Sequence, residues 1–211
     1  MALAATVVVL AGCGDGKKDS GASDGGSTSP SQVKVIQPGA PGEPSREVAA
    51  TPTVTGEDGH TKADIEFMQG MIHHHQQAVI MSEWVPDRTQ STSLRLMAQR
   101  IEVSQEDEMT LMRNWLKKRG VDPNDHSHKH RAMPGMVNSR QLTKLRESRG
   151  KAFDRLFLRY MTQHHMGALT MVRELVGKGG GAEAEIGQFV LHVDADQSIE
   201  IKRMQQLLSK L

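Results

Sequence analysis

Asp64-Ile65-Glu66-Phe67-Met68-Gln69-Gly70-Met71-Ile72-His73-His74-His75-Gln76-Gln77-Ala78-Val79-Ile80-Met81 has a second copy in the same chain. It is Asp154-Arg155-Leu156-Phe157-Leu158-Arg159-Tyr160-Met161-Thr162-Gln163-His164-His165-Met166-Gly167-Ala168-Leu169-Thr170-Met171. Both read D-x-x-F-x-x-x-M-x-x-H-H-x-x-A-x-x-M without a gap, every matched position offset by 90 residues. A repeat at fixed spacing decides the architecture before any single element is read. At roughly 100° per residue, the matched positions share a helix stripe about 120° wide, the usual width of a core-facing face. His73 is not repeated and falls on the opposite side. The spacing therefore predicts two long helices, each burying two histidines and two methionines.

Phe67, Phe157, Ala78 and Ala168 on that stripe are packing residues. Met81 and Met171 are read first as gap-fillers, because the thioether adapts to irregular cores; they remain secondary ligand candidates. The histidine pairs are different. Adjacent imidazoles on an apolar stripe are costly unless each finds a partner. One resolution is a set of satisfied structural hydrogen bonds. The other is metal ligation, since imidazole is the commonest metal ligand among side chains. Met71 precedes His75 by one turn and His74 by three residues, so a thioether and two imidazoles can converge. The spacing favours ligation by Met71, His74 and His75 in one copy and by Met161, His164 and His165 in the other.

A second repeat lies C-terminal to each copy. Ile101, Gln105, Glu108 and Met112 recur as Val193, Gln197, Glu200 and Met204, offset by 92 residues. The repeating unit is therefore a helix pair. The expected helices run from about 61 to 85, 93 to 118, 150 to 177 and 182 to 209, with a short one at 139–149 in the connection. Thr61 can cap the first, with Asp64 at its third position. Lys151 stands where Asp154 would need such a cap, so the two aspartates are instead read as partners of a neighbouring helix. Glu108 and Glu200 are read as partners of an inward arginine in preference to metal ligands, because buried charges are usually paired.

The chain of 211 residues carries a net charge of +1, which gives no argument for nucleic acid, and is unusual in its 13 Met and 10 His. The single cysteine excludes an internal disulfide framework and a Cys-based zinc site. It lies in Leu10-Ala11-Gly12-Cys13, which matches the lipobox of bacterial lipoproteins, after an apolar run too short to span a bilayer. Residues 1–13 are thus read as a lipoprotein signal ending at a lipid-modified Cys13, and 14–60 as a disordered tether rich in Gly, Ser, Pro and Asp. Residues 61–211 form the His/Met-rich helical domain. Between the helix pairs, His126, His128 and His130 alternate in a polar loop, a compositional metal-binding tract, followed by Met133-Pro134-Gly135-Met136.

The doubled motif, Met-Pro-Gly-Met at 133–136 and the Gly150-x-x-Phe153-Asp154 lead-in resemble the bacterial "domain of unknown function 305" family over about 61–210. The resemblance implies an all-α, ferritin-like four-helix bundle built from two helix pairs. It implies a secreted or lipid-anchored location, and copper binding with a role in copper resistance in some members. Carried over by position, it marks Met71, His74, His75, Met161, His164 and His165, with Met133 and Met136 as weaker candidates. Thioethers select Cu(I), and imidazole accepts either copper oxidation state.

The expected function is an extracytoplasmic, membrane-anchored copper-binding protein that touches the membrane only through its lipid and exchanges metal with a copper-handling partner. A ferritin-like di-metal oxidase is the alternative, but it needs paired Glu-x-x-His on facing helices, and no helix here carries one. A structural lipoprotein without metal is the other. No Ser-His-Asp, Cys-His or phosphate-loop arrangement gives an enzyme signature.

Overall fold

The computed structural model describes the backbone of 33–37 and 46–50 and all of residues 59–125 and 133–211. Two strands, β1 (Val33–Gln37) and β2 (Arg46–Ala50), pair antiparallel with Val33 opposite Ala50 and Gln37 opposite Arg46. They fall inside the stretch read from its composition as a tether. The difference has a local cause: Val33, Val35, Ile36 and Val48 are β-branched residues in a segment otherwise dominated by turn formers. The lipobox Cys13 and the loop histidines His126, His128 and His130 lie outside the described residues.

The domain that follows is all-α, with four long helices and one short one: α1 (Lys62–Glu83), α2 (Thr92–Lys118), α3 (Ser139–Glu147), α4 (Gly150–Gly177) and α5 (Ala184–Leu208). Thr61 caps α1 in a reciprocal box with Asp64. Asp64 Oδ1 also accepts the Gly181 N–H at 2.7 Å, which ties the α4–α5 loop to the start of α1. Asp154 does not repeat this role: α4 starts at Arg149 with no side-chain cap, and Asp154 Oδ1 is buried without a partner. Neither aspartate therefore partners a neighbouring helix as expected: Asp64 bonds its own cap and the α4–α5 loop, and Asp154 Oδ1 has no partner. Helices α2 and α4 both end in Schellman turns, Val121 N–H to Leu116 O and Gly180 N–H to Leu175 O. Gly120 and Gly179 supply the positive φ, +67° and +79°, that those turns need.

Helices α1 and α2 form one hairpin, α4 and α5 the other, and the hairpins meet where α1 packs on α4. Gly70 faces Met171, and His74 faces His164 four residues later on α1 and seven earlier on α4, so α1 and α4 run antiparallel. The core falls into two apolar clusters. One holds Phe67, Met71, Met112, Ala168, Met171 and Val193, and the other Phe157, Met161, Met204, Ala78, Met81 and Ile101. Each residue of the first is the repeat mate of one in the second. The sequence repeat has therefore become a pseudo-two-fold rotation that exchanges the two ends of the bundle. Its axis passes between His74 and His164, the mates that touch.

Candidate metal centre

A polar belt separates the two apolar clusters, and it holds all four motif histidines. His74, His75, His164 and His165 are each 0% exposed. The His74 and His164 rings lie 3.8 Å apart between centroids, tilted by 33°. On either side of this pair stands a histidine–carboxylate couple. His75 Nε2 meets Glu108 Oε2 at 2.5 Å, and His165 Nε2 meets Glu200 Oε2 at 2.7 Å. The two couples are repeat mates of each other. The expected arginine partners are therefore corrected: the histidines of the paired helix occupy the carboxylates, and no arginine is needed.

These contacts fix which ring nitrogen is free. A carboxylate or carbonyl oxygen only accepts, so His75 and His165 donate from Nε2 and keep a lone pair on Nδ1. His74 Nε2 likewise donates to the Pro134 carbonyl at 3.0 Å. The Nδ1 atoms of His74, His75 and His165 are buried with no hydrogen-bond partner, as are both ring nitrogens of His164. Gln105 and Gln197, fully buried and one turn before Glu108 and Glu200, leave their side-chain oxygens unpartnered too. Buried polar groups are normally paired, and each orphan costs roughly 1–3 kcal/mol. Their concentration in one belt is what a site shaped for a ligand produces.

The belt also keeps its inner histidines neutral. Burial pushes His74 down to about 3, aided by His75 and His165 and opposed by the Pro134 hydrogen bond. Burial likewise holds His164 well below 6.5, aided by His74, His165 and His75, with a partial offset from the His74 backbone. Neutral imidazoles with free lone pairs are what metal coordination requires.

The methionines divide. Met71 and Met161 are fully buried, each one turn before a histidine pair, but they sit in opposite apolar clusters, flanking the belt from its two sides. Met81 and Met171 lie nearly two turns beyond the pairs and pack as core. Met133 and Met136 are half-buried. A methyl placed on Gly70 would stand 3.5 Å from Met171 Cε and 3.9 Å from Met133 Sδ, so both side chains reach α1 one turn before His74. The segment 133–137 is therefore not the adaptable polar loop expected from sequence. It is a strap across the α1–α4 seam. Gln77 clasps Val137 through two hydrogen bonds of 2.7 and 2.9 Å, and Gln163 donates to the Gly135 carbonyl at 3.2 Å. A Cβ on Gly167 would run into the Pro134 carbonyl, so α4 accepts the strap only because that residue is glycine.

One further cluster was not singled out by sequence reasoning. Glu108, His192 and Asp196 bring three ligand atoms within 4.8 Å of one another on the outer side of the His75–Glu108 couple. The only sequence signal for it was the i, i+4 spacing of His192 and Asp196, which is common on solvated helix faces.

The fold and its belt define a His/Met-rich helical bundle doubled from one helix pair. The chain belongs to the family described as Domain of unknown function (DUF305), whose profile matches residues 64–208. It is similar to a DUF305 fragment from Deinococcus radiodurans at 29% identity, covering 72% of this chain and 99% of that one, with a TM-score of 0.65. It is similar to a DUF305 protein of Streptomyces coelicolor described as a candidate secreted protein, at 30% identity, 70% and 93% coverage and a TM-score of 0.64. CopM in its Cu(I)-bound form aligns at 28% identity over 70% of this chain and 96% of CopM, with a TM-score of 0.54. CopM structures with Cu(II) and with Ag align similarly. An uncharacterised protein of Acanthamoeba polyphaga mimivirus is 36% identical over 56 residues, and the chain spans 37% of that relative's length.

Proposed function

We propose that this chain is an extracytoplasmic, lipid-anchored copper-binding protein whose metal is held in the buried belt. The observation that carries the reading is the set of five unpartnered ring nitrogens on four fully buried histidines. His74 and His164 supply the central donors. His75 and His165 supply Nδ1 from each side, oriented by Glu108 and Glu200, as carboxylates orient metal-bound imidazoles elsewhere. Met71 and Met161 border the belt with thioethers, and Met133 of the strap reaches α1 at Gly70, one turn before His74. Met81, Met171 and Met136 are secondary. Soft sulfur and borderline nitrogen suit Cu(I), and the imidazoles also accept Cu(II). The Cu- and Ag-bound forms of CopM support copper as the cargo. The Streptomyces relative supports a location outside the cytoplasm. Cys13 is the proposed lipid attachment point.

The test is anaerobic Cu(I) titration of the full chain against two double variants, His74→Ala/His75→Ala and His164→Ala/His165→Ala, each first shown folded by circular dichroism. Loss of the tight equivalents in both variants is expected. Unchanged stoichiometry and affinity in both would remove the belt as the site. Radiolabelled fatty acid incorporation that survives Cys13→Ser would remove the anchor.

A further inference from the structure

Glu108 uses only one of its oxygens on His75. Its other oxygen, Oε1, stands 3.7 Å from His192 Nε2, and that nitrogen stands 3.5 Å from Asp196 Oδ2. These separations are too long for strong hydrogen bonds. They approach the donor-to-donor edges of a tetrahedral metal site, about 3.3–3.6 Å for bonds of about 2.0–2.2 Å, and all three ligand atoms lie within 4.8 Å of one another. Glu108 is 3% exposed and His192 57%, so the cluster spans the boundary between the buried belt and solvent. His192 also lines an open cleft of about 770 Å³ beside Met68, Trp115 and Phe189. The exposed His192 and part-exposed Asp196 let a cation reach the cluster without crossing the core.

A plain surface ion pair accounts for His192 and Asp196, one turn apart on α5. What sets the cluster apart from such a pair is its third donor, the second oxygen of a buried carboxylate on α2. The cluster is also one of the places where the pseudo-two-fold breaks. The repeat mate of Glu108 is Glu200, but the mates of His192 and Asp196 are Arg100 and Ser104. A guanidinium in place of an imidazole repels a cation, so the second half of the bundle has no equivalent.

We propose that Glu108 Oε1, His192 Nε2 and Asp196 Oδ2 form a single surface site for a borderline divalent cation of the Zn(II) and Cu(II) class. Two carboxylates and a neutral imidazole match a double positive charge. The set contains no sulfur, so it disfavours Cu(I) and Ag(I), unlike the belt. Glu108 is shared: a cation on Oε1 draws electron density from the carboxylate that orients His75, so occupancy outside is felt inside. The site does not depend on copper binding in the belt.

The experiment titrates Zn(II), and separately Ag(I), into metal-stripped full chain. The variants are His192→Ala, Asp196→Asn and the belt variant His74→Ala/His164→Ala, with Arg100→Ala as the control on the other half. One Zn(II) equivalent should be lost or weakened in His192→Ala and Asp196→Asn. The weakening should exceed the roughly 10–100-fold typical of losing a hydrogen-bond partner of a ligand. Arg100→Ala and the belt variant should keep that equivalent, and Ag(I) uptake should be unchanged in the two surface variants. Zn(II) binding that is the same in wild type, His192→Ala and Asp196→Asn overturns the proposal, as does loss of the equivalent in the belt variant alone. Failure of Ag(I) to bind any variant would count against the belt and leave the surface site standing.

Discussion

His74 and His164 face each other with ring centroids 3.8 Å apart, across the axis that relates the two halves of the chain. Two protonated imidazoles at that separation in a dry core would repel strongly, so the pair exists only as neutral rings. The folded pKa of His74 is about 3, and that of His164 is well below 6.5. In the unfolded chain both sit near 6.5. Between these values the unfolded state binds more protons, so stability is complete above about 6.5 and falls as pH drops. The slope is up to about 1.4 kcal/mol per pH unit for each histidine. Thermal melts of metal-free protein from pH 7.5 to 4 should show a falling Tm. His74→Gln/His164→Gln, if folded, should flatten that dependence.

The same burial changes what acid does to metal binding. The unperturbed histidine value predicts that copper affinity weakens as pH falls through about 6.5. At His74 and His164 proton competition starts lower, so their share of the affinity should persist through pH 6. Competition titrations against a pH-insensitive chelator check this. In His75→Ala/His165→Ala, where only the central pair remains, a tenfold loss between pH 7 and 6 would show that the two central rings do not bind the metal.

Gly70 and Gly167 separate packing from propensity. Both are helical glycines beside the strap, but a Cβ on Gly70 makes ordinary contacts at 3.5 and 3.9 Å, whereas one on Gly167 collides with Pro134 and Gly135 backbone. Gly70→Ala should be neutral or stabilising by up to about 1 kcal/mol. Gly167→Ala should destabilise by about 1–3 kcal/mol as an overpacked contact and should release the strap. Chemical denaturation gives the first quantity. Hydrogen exchange at Val137 N–H, which Gln77 Oε1 accepts at 2.7 Å, gives the second.

The bundle was legible because its information is local and doubled. The 90-residue offset of the His/Met stripe and the 92-residue offset of Gln105, Glu108 and Met112 placed four helices and their inward faces. That His75 meets Glu108 was not legible. Both were seen to face inward, but the α1–α2 register that joins them is set by packing and not by either helix alone. The strap is not legible in Met133-Pro134-Gly135-Met136, which follows the polar His tract and reads with it as loop. Its order comes from Gln77, Gln163 and Gly167, residues distant in sequence. His192 and Asp196 were invisible because they are outside the repeat, and it is the departure from symmetry that marks them.

Glu108 and Glu200 allow the two halves to be compared by one substitution. Removing either carboxylate leaves a buried imidazole N–H without an acceptor, at a cost of about 1–3 kcal/mol. Glu108→Ala and Glu200→Ala should therefore lower stability by similar amounts, read from urea midpoints. Gln can still accept from Nε2, so Glu108→Gln and Glu200→Gln should retain most of the stability. Both should nonetheless weaken Cu(I) binding by about 10–100-fold, because a neutral amide makes the imidazole a poorer donor than a carboxylate does. If Glu→Gln at either position leaves Cu(I) affinity unchanged, the adjacent histidine does not ligate, and the site contracts to His74 and His164.

The loop histidines set the last comparison. His126, His128 and His130 stand in a polar stretch of the sequence with no repeat mate and no apolar stripe around them. The belt donors are already fixed by α1, α4 and the strap. The strap must therefore be kept intact in any test of the loop, because Pro134 and Val137 hold His74 and Gln77. The informative variant is His126→Ser/His128→Ser/His130→Ser, which leaves 133–137 untouched. It should keep the tight Cu(I) equivalents and lose only weak ones, while His74→Ala/His164→Ala should do the reverse. The opposite pattern, with tight binding abolished by the loop variant and retained by the belt variant, would move the site to the loop and leave the four buried histidines as structure.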